Sequence, residues 1–210
     1  MQTQPHAFRA RDLVGGHAVL DLVNTVTARN AVPVDWLDGY RRVLEWARLS
    51  GSFDAGVVLD LERLSSAHPV AAEKAVGHLR ELRESLLDAF TAQVERRERS
   101  HRRLSRLERA WKDAVAHARL VGEPGHVGLE LSVARSGLDY IRHDLALQAV
   151  ALLEVLPIER TRICPGEQCG WLFVDRSRGG KRRWCDMATC GNASKSRRHY
   201  ARQRAGGKAR

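Results

Sequence analysis

From Cys164 to Cys190 the chain reads CPGEQCGWLFVDRSRGGKRRWCDMATC. It holds the only four cysteines of the protein, Cys164, Cys169, Cys185 and Cys190, spaced C-x4-C-x15-C-x4-C. Zinc takes four soft ligands in a tetrahedron, and thiolate sulfur supplies them. Each short pair can form one tight turn that aims both sulfurs inward, and the fifteen residues between can fold back to bring the pairs together. The competing reading is two disulfides. No charged segment followed by an apolar one opens the sequence, so export is not expected and a cytoplasmic location is. Thiols stay reduced there, which favours metal over crosslink. Four protein ligands close the coordination sphere, so the expectation is one structural zinc.

Around the cysteines stand Cys169-Gly170-Trp171-Leu172-Phe173-Val174-Asp175-Arg176-Ser177, then Arg182-Arg183-Trp184-Cys185-Asp186-Met187 and Cys190-Gly191-Asn192-Ala193-Ser194-Lys195. The stretch from Cys164 to about Arg202 resembles the CGNR zinc-finger family of bacterial proteins, with Ala193 in place of the motif's arginine. Upstream, Gly15-Gly16-His17 and Leu20-Asp21-Leu22-Val23-Asn24-Thr25 resemble the ABATE domain that accompanies this finger. The resemblance implies a stress-induced transcription regulator.

The net charge of +10 is unevenly spread. Ile158 to Arg210 carries 14 Lys and Arg against 4 Asp and Glu, whereas Met1 to Pro157 carries 21 of each. A neutral body, 1–157, is thus separated from a basic module, 158–210, and a basic module suits a polyanion. No run of eighteen apolar residues exists, so no membrane-spanning helix is expected.

Within the module, Trp171-Leu172-Phe173-Val174 and Arg182-Arg183-Trp184 are β-prone and flank Gly179-Gly180, a turn signal. The expected arrangement is a zinc knuckle, a hairpin of these two segments, and a helix starting near Cys190, as in a treble clef. On that helix Lys195, Arg198 and Arg202 share a face, while Arg197 and Arg204 point elsewhere, Arg197 remaining a candidate contact. Arg176, Arg178, Lys181, Arg182 and Arg183 cluster at the hairpin tip. These residues, with Asn192, are the candidate nucleic-acid contacts; a solvated charged surface is the alternative. Trp171, Phe173, Trp184 and Tyr200 could stack on bases, but the preferred reading makes them the module's small core.

The body is expected to be mainly helical. Apolar spacing gives a helix from Gly16 to Arg29, then one from Trp36 to Leu49 capped by Asp35 and stopped at Gly51. A short helix over Ala55–Ser66 follows, and then a long central one from Ala72 to about Arg97, opened by Pro69. A small β-hairpin divides around Gly122-Glu123-Pro124-Gly125. A capping box at Ser136 opens the last helix, which Pro157 ends. Ile158 to Ile163 is read as linker, and the body's core as separate from the finger's. His17, Asp21 and Asn24 are candidates for a ligand pocket, although holding neighbouring backbone is the preferred role.

Three function classes follow. The favoured one is a zinc-dependent DNA-binding regulator whose body senses a small-molecule effector or a partner. An RNA-binding or protein-assembly module using the same finger is the alternative. An enzyme is disfavoured, because the sequence has no nucleophile-and-base signature, no phosphate-binding Gly loop and no open metal site.

Overall fold

The computed structural model describes residues 1–96, 101–123 and 125–206. The chain opens with β1 (Gln2–Thr3), α1 (Ala18–Val23), β2 (Val26–Thr27) and β3 (Val34–Asp35). β3 is the middle strand of a small sheet, parallel to β1 and antiparallel to β2. Then come α2 (Tyr40–Ser50), α3 (Ala55–Ala67), the long α4 (Pro69–Val94) and α5 (His101–His117). The antiparallel hairpin β4 (Arg119–Glu123) and β5 (His126–Glu130) leads to α6 (Val133–Ser136) and α7 (Tyr140–Val155). The finger consists of β6 (Thr161–Ile163), β7 (Leu172–Val174), a π-turn over Met187–Gly191 and α8 (Asn192–Gly206).

The long helix follows the periodicity of its sequence. Ala75, Val76, Leu79, Leu82, Leu86 and Phe90 recur three and four apart and are all buried. Pro69 occupies its first turn, and Gly51 ends α2 in the left-handed conformation at φ +64°. Asp54 caps α3 by accepting from the Gly56 and Val57 N–H groups.

Four expectations are corrected. The first helix ends at Val23, well before Arg29, because Thr25 Oγ1 donates to the Leu22 carbonyl and the chain turns into β2. Asp35 caps no helix. It is buried in β3, its carboxylate gripping Arg83, and α2 starts at Tyr40 behind Gly39. Ser136 makes no capping hydrogen bond, and among the described residues its buried hydroxyl has no partner. Finally, β7 pairs antiparallel with β6, not with Arg182–Trp184, so the stretch read as linker supplies the partner strand.

The body's core is also not separate. Leu172 of β7, fully buried, lies in the same cluster as Leu20, Leu22, Leu86 and Leu145, with Ile163 and Val174 packed against it. Asn24 joins the two parts by hydrogen bonds: its amide donates to the Leu172 carbonyl at 2.8 Å, and its Oδ1 accepts from the Leu172 N–H at 2.9 Å. The side chain thereby does for β7 what a neighbouring strand would do.

Candidate metal centre and basic surface

The knuckle sits at the tip of the β6–β7 hairpin, so the ladder sets its geometry. The Cys164 N–H donates to the Trp171 carbonyl at 2.8 Å, and the Cys169 N–H to that of Gly166 at 3.1 Å. Gly166 is required there, because a Cβ would come within 3.0 Å of Cys169 Cβ and 3.2 Å of Cys190 Sγ. Gly170 adopts φ +82° with Arg29 and Asn30 of the body pressed against it, leaving no room for a side chain. Cys185 follows the basic loop. Cys190 sits on the π-turn, which Asp186 opens by accepting from the Ala188 and Thr189 N–H groups.

All four Sγ atoms lie within 4.8 Å of one another. Cys169 and Cys185 are 3.5 Å apart and Cys185 and Cys190 3.7 Å, close to the ~3.8 Å edge of a tetrahedron with zinc–sulfur bonds of about 2.3 Å. No disulfide links them. Thiols packed this tightly cannot all ionise unaided. Hydrogen bonds from Cys169 and Cys185 pull the Cys164 thiol down, while donating to that thiolate holds the protons on Cys169 and Cys185 and pushes them up, and burial pushes up Cys190. A divalent cation resolves that conflict by stabilising every thiolate. The four cysteines therefore fit one structural zinc.

Body residues hold the knuckle from outside. The Arg29 N–H donates to the Cys169 carbonyl at 2.9 Å, Asn30 Nδ2 to the Gly166 carbonyl at 2.7 Å, and Trp171 Nε1 to the Val26 carbonyl at 2.9 Å. Trp36 meets Trp171 edge to face with ring centroids 5.5 Å apart. Sequence reasoning missed Asn30 and the Arg29 backbone contact, since each lies more than a hundred residues from its partner and no local pattern marks it.

The basic residues divide by what they touch. Arg182 is half-buried: its guanidinium stacks 4.6 Å from the Phe173 ring and donates to the carbonyls of Trp184 and Cys185. Those bonds fold Arg182–Trp184 away from any ladder. Arg176 donates to the Gly16 carbonyl, and Arg160, not singled out from sequence, holds the loop by donating to the Ser177 carbonyl at 2.9 Å. Asp175 accepts from the N–H groups of Ser177 and Arg182 and closes the same loop. Arg178, Lys181 and Arg183 are exposed, Arg183 lying over the Trp184 ring. On α8, Lys195 and Arg198 are exposed one turn apart, and Arg197 pairs with Glu167 at 3.1 Å. Asn192, also exposed, donates to the Ala188 carbonyl at 3.3 Å. Arg202 lies in α8 with its side chain outside the described residues. Trp171 and Phe173 are buried core, whereas Tyr200, expected in the core, is 64% exposed on α8.

Of the three pocket candidates, Asn24 is consumed by β7. Asp21 is buried and accepts from the Gly15 N–H at 2.8 Å, and His17 caps α1 by accepting from Val19. Burial pushes the Asp21 carboxyl up to about 6, against the opposing pull of that N–H and of Arg176. Its ordinary value is about 3.9, so between roughly pH 4 and 6 the folded chain keeps a proton that the unfolded chain releases. Stability from this group is thus complete below about pH 4 and lost as pH rises through 6. Asp21→Asn keeps the acceptor and removes the titration. Relative to that variant, the native protein is expected to lose up to about 3 kcal/mol between pH 4 and pH 7. His17, which burial and then Arg176 push down, titrates in both proteins and cancels. Parallel melting profiles for the two proteins would count against the assignment.

Comparison with known families agrees with this architecture. The CGNR zinc-finger model matches residues 160–203, over the knuckle, the loop and most of α8. The ABATE model, described as "putative stress-induced transcription regulator", matches residues 16–156. A search of curated proteins finds no match. Among the described residues, no helix is long and apolar enough to cross a membrane. With one model spanning most of the helical body and the other the cysteine-bearing end, the chain belongs to the ABATE family and carries a CGNR zinc finger.

Proposed function

We propose that this protein is a zinc-dependent, DNA-binding transcription regulator, with residues 158–210 as the nucleic-acid module and residues 1–157 as the part that senses a ligand or partner. The observation that carries the reading is the placement of charge. The whole excess of +10 falls in the finger, and the exposed cations sit on two elements tied to the same four sulfurs. Arg178, Lys181 and Arg183 lie on the loop before Cys185; Lys195 and Arg198 lie on the helix after Cys190. A basic helix one turn past a metal ligand suits a major groove, and a basic loop beside it suits the phosphate backbone. Tyr200, exposed on the same helix, is available to stack. Membership of the ABATE family favours regulation over catalysis.

Filter binding of duplex DNA by the full zinc-loaded chain tests this. With about five phosphates neutralised, log affinity is expected to fall against log salt with a slope of roughly −4 to −5. Arg183→Ala should reduce the slope by about one and weaken all sequences alike. Arg182→Ala should behave differently, loosening the finger through loss of its carbonyl and Phe173 contacts. Salt-independent binding would remove DNA from the reading, and preference for structured RNA at equal phosphate would transfer the module to RNA.

A further inference from the structure

A cleft of about 870 Å³ opens between α4, α5 and α7, and none of its lining residues comes from the finger. Cavities of that size hold small molecules. Its walls have an unusual composition for packed helices. On α5 the lining residues Arg106, Arg109, Ala110 and Asp113 stand three, four and seven apart, on one stripe of the helix. Such a stripe facing a neighbouring helix is ordinarily apolar. Here it begins with two arginines.

The charges in the cleft do not balance. Asp113 is matched by Arg142, which also bonds Asp139 at 2.8 Å. Glu84 accepts from Arg29 at 2.9 Å and from Arg83 at 2.9 Å. Among the described residues, Arg106 and Arg109 make no ion pair or hydrogen bond, and the carboxylate of Glu81 is the one acid of the lining left unmatched. Two free guanidinium groups against one free carboxylate leave net positive charge in a body whose overall charge is zero. The planar fork of an arginine matches a carboxylate or phosphoryl group with two parallel hydrogen bonds.

We propose that this cleft binds a compact organic dianion through Arg106 and Arg109. We further assign it as the effector site, an assignment that rests on the regulatory reading above. The route to the finger is short. Glu84, in the cleft wall, holds the Arg29 guanidinium, and the Arg29 N–H is bonded to the carbonyl of the zinc ligand Cys169. A dianion sharing the cleft with Glu84 changes the field on Arg29, and through it on the knuckle.

Calorimetric titration of the full zinc-loaded chain with succinate and with glycerol 3-phosphate, at ionic strength matched with chloride, is the test. The two probes separate a dicarboxylate from a phosphate monoester. Saturable one-site binding of at least one is expected, weakened about tenfold or more by Arg106→Ala and by Arg109→Ala. Both side chains are exposed, so melting without ligand should not change, and Glu81→Gln should tighten binding. No saturable heat with either probe, or equal affinity in the arginine variants, would overturn the site. So would a loss of duplex affinity in those variants without probe, since the arginines would then belong to a nucleic-acid surface. Intact probe binding with no change in DNA affinity would leave the site standing and remove the sensing role.

Discussion

Stripping the zinc is expected to lower the melting temperature of the helical body as well as unfold the finger. Structural zinc contributes about 10 to 16 kcal/mol of folding free energy in small peptides, so the finger cannot keep its geometry without it. The body depends on that geometry at named points. Leu172 is fully buried in the core formed by α1, α4 and α7, and its withdrawal leaves a cavity worth about 2 to 5 kcal/mol. Asn24, 1% exposed, loses both partners at once, at about 1 to 3 kcal/mol for each buried group left unsatisfied. The Val26 carbonyl loses the Trp171 indole, and Asn30 loses Gly166. Cys190→Ser removes one ligand without a chelator and should give the same result. Melts followed by far-ultraviolet circular dichroism report the body, because most of the helix lies there. An unchanged helical transition in the Cys190→Ser protein would show that the body stands alone.

This coupling marks where sequence ceased to be informative. The metal site was legible because all four ligands lie within 27 residues and a closed thiolate site needs nothing else. The long helix was legible because its burial follows a period of three and four over seven turns. Asn24 was not, since a polar residue on an apolar stretch looks alike whether it lines a pocket or pairs with a strand, and its partner lies 148 residues on. Arg182 was hidden in a run of cations that reads as solvated surface, although its guanidinium is spent on two carbonyls and a ring. The strand partner of β7 was hidden because Thr161–Ile163 is too short to carry a pattern of its own. The arginine stripe of α5 was hidden by composition: in a helix this charged, only the packing tells a cleft wall from a solvent face.

The second large effect is expected at Asp35, which local pattern cast as a helix cap. Arg83, with no exposed surface, projects from the middle of α4 into the core. Its two terminal nitrogens donate to the two oxygens of Asp35 at 2.6 and 2.7 Å, its Nε donates to Glu84, and Nη1 also reaches Thr25 Oγ1 at 3.1 Å. Asp35 in turn accepts from the Leu37 N–H at 3.0 Å and lies 3.2 Å from Arg80 Nε. Removing one partner of a buried pair strands the other charge away from water, at a cost of about 3 to 5 kcal/mol. Asp35→Ala is therefore expected to lose that much in a urea unfolding series. The loss should be shared by the finger, because Asp35 precedes Trp36, whose ring packs on Trp171 beside the cysteines. Replacing Arg83 by Met together with Asp35→Ala removes the stranded charge and should recover much of the loss, since an apolar side chain of similar length suits the α4 face. The cycle separates the two contributions. If Asp35→Ala costs under about 1 kcal/mol, or if the double replacement is no better than the single one, water reaches Arg83 in solution and the pair does not organise the core.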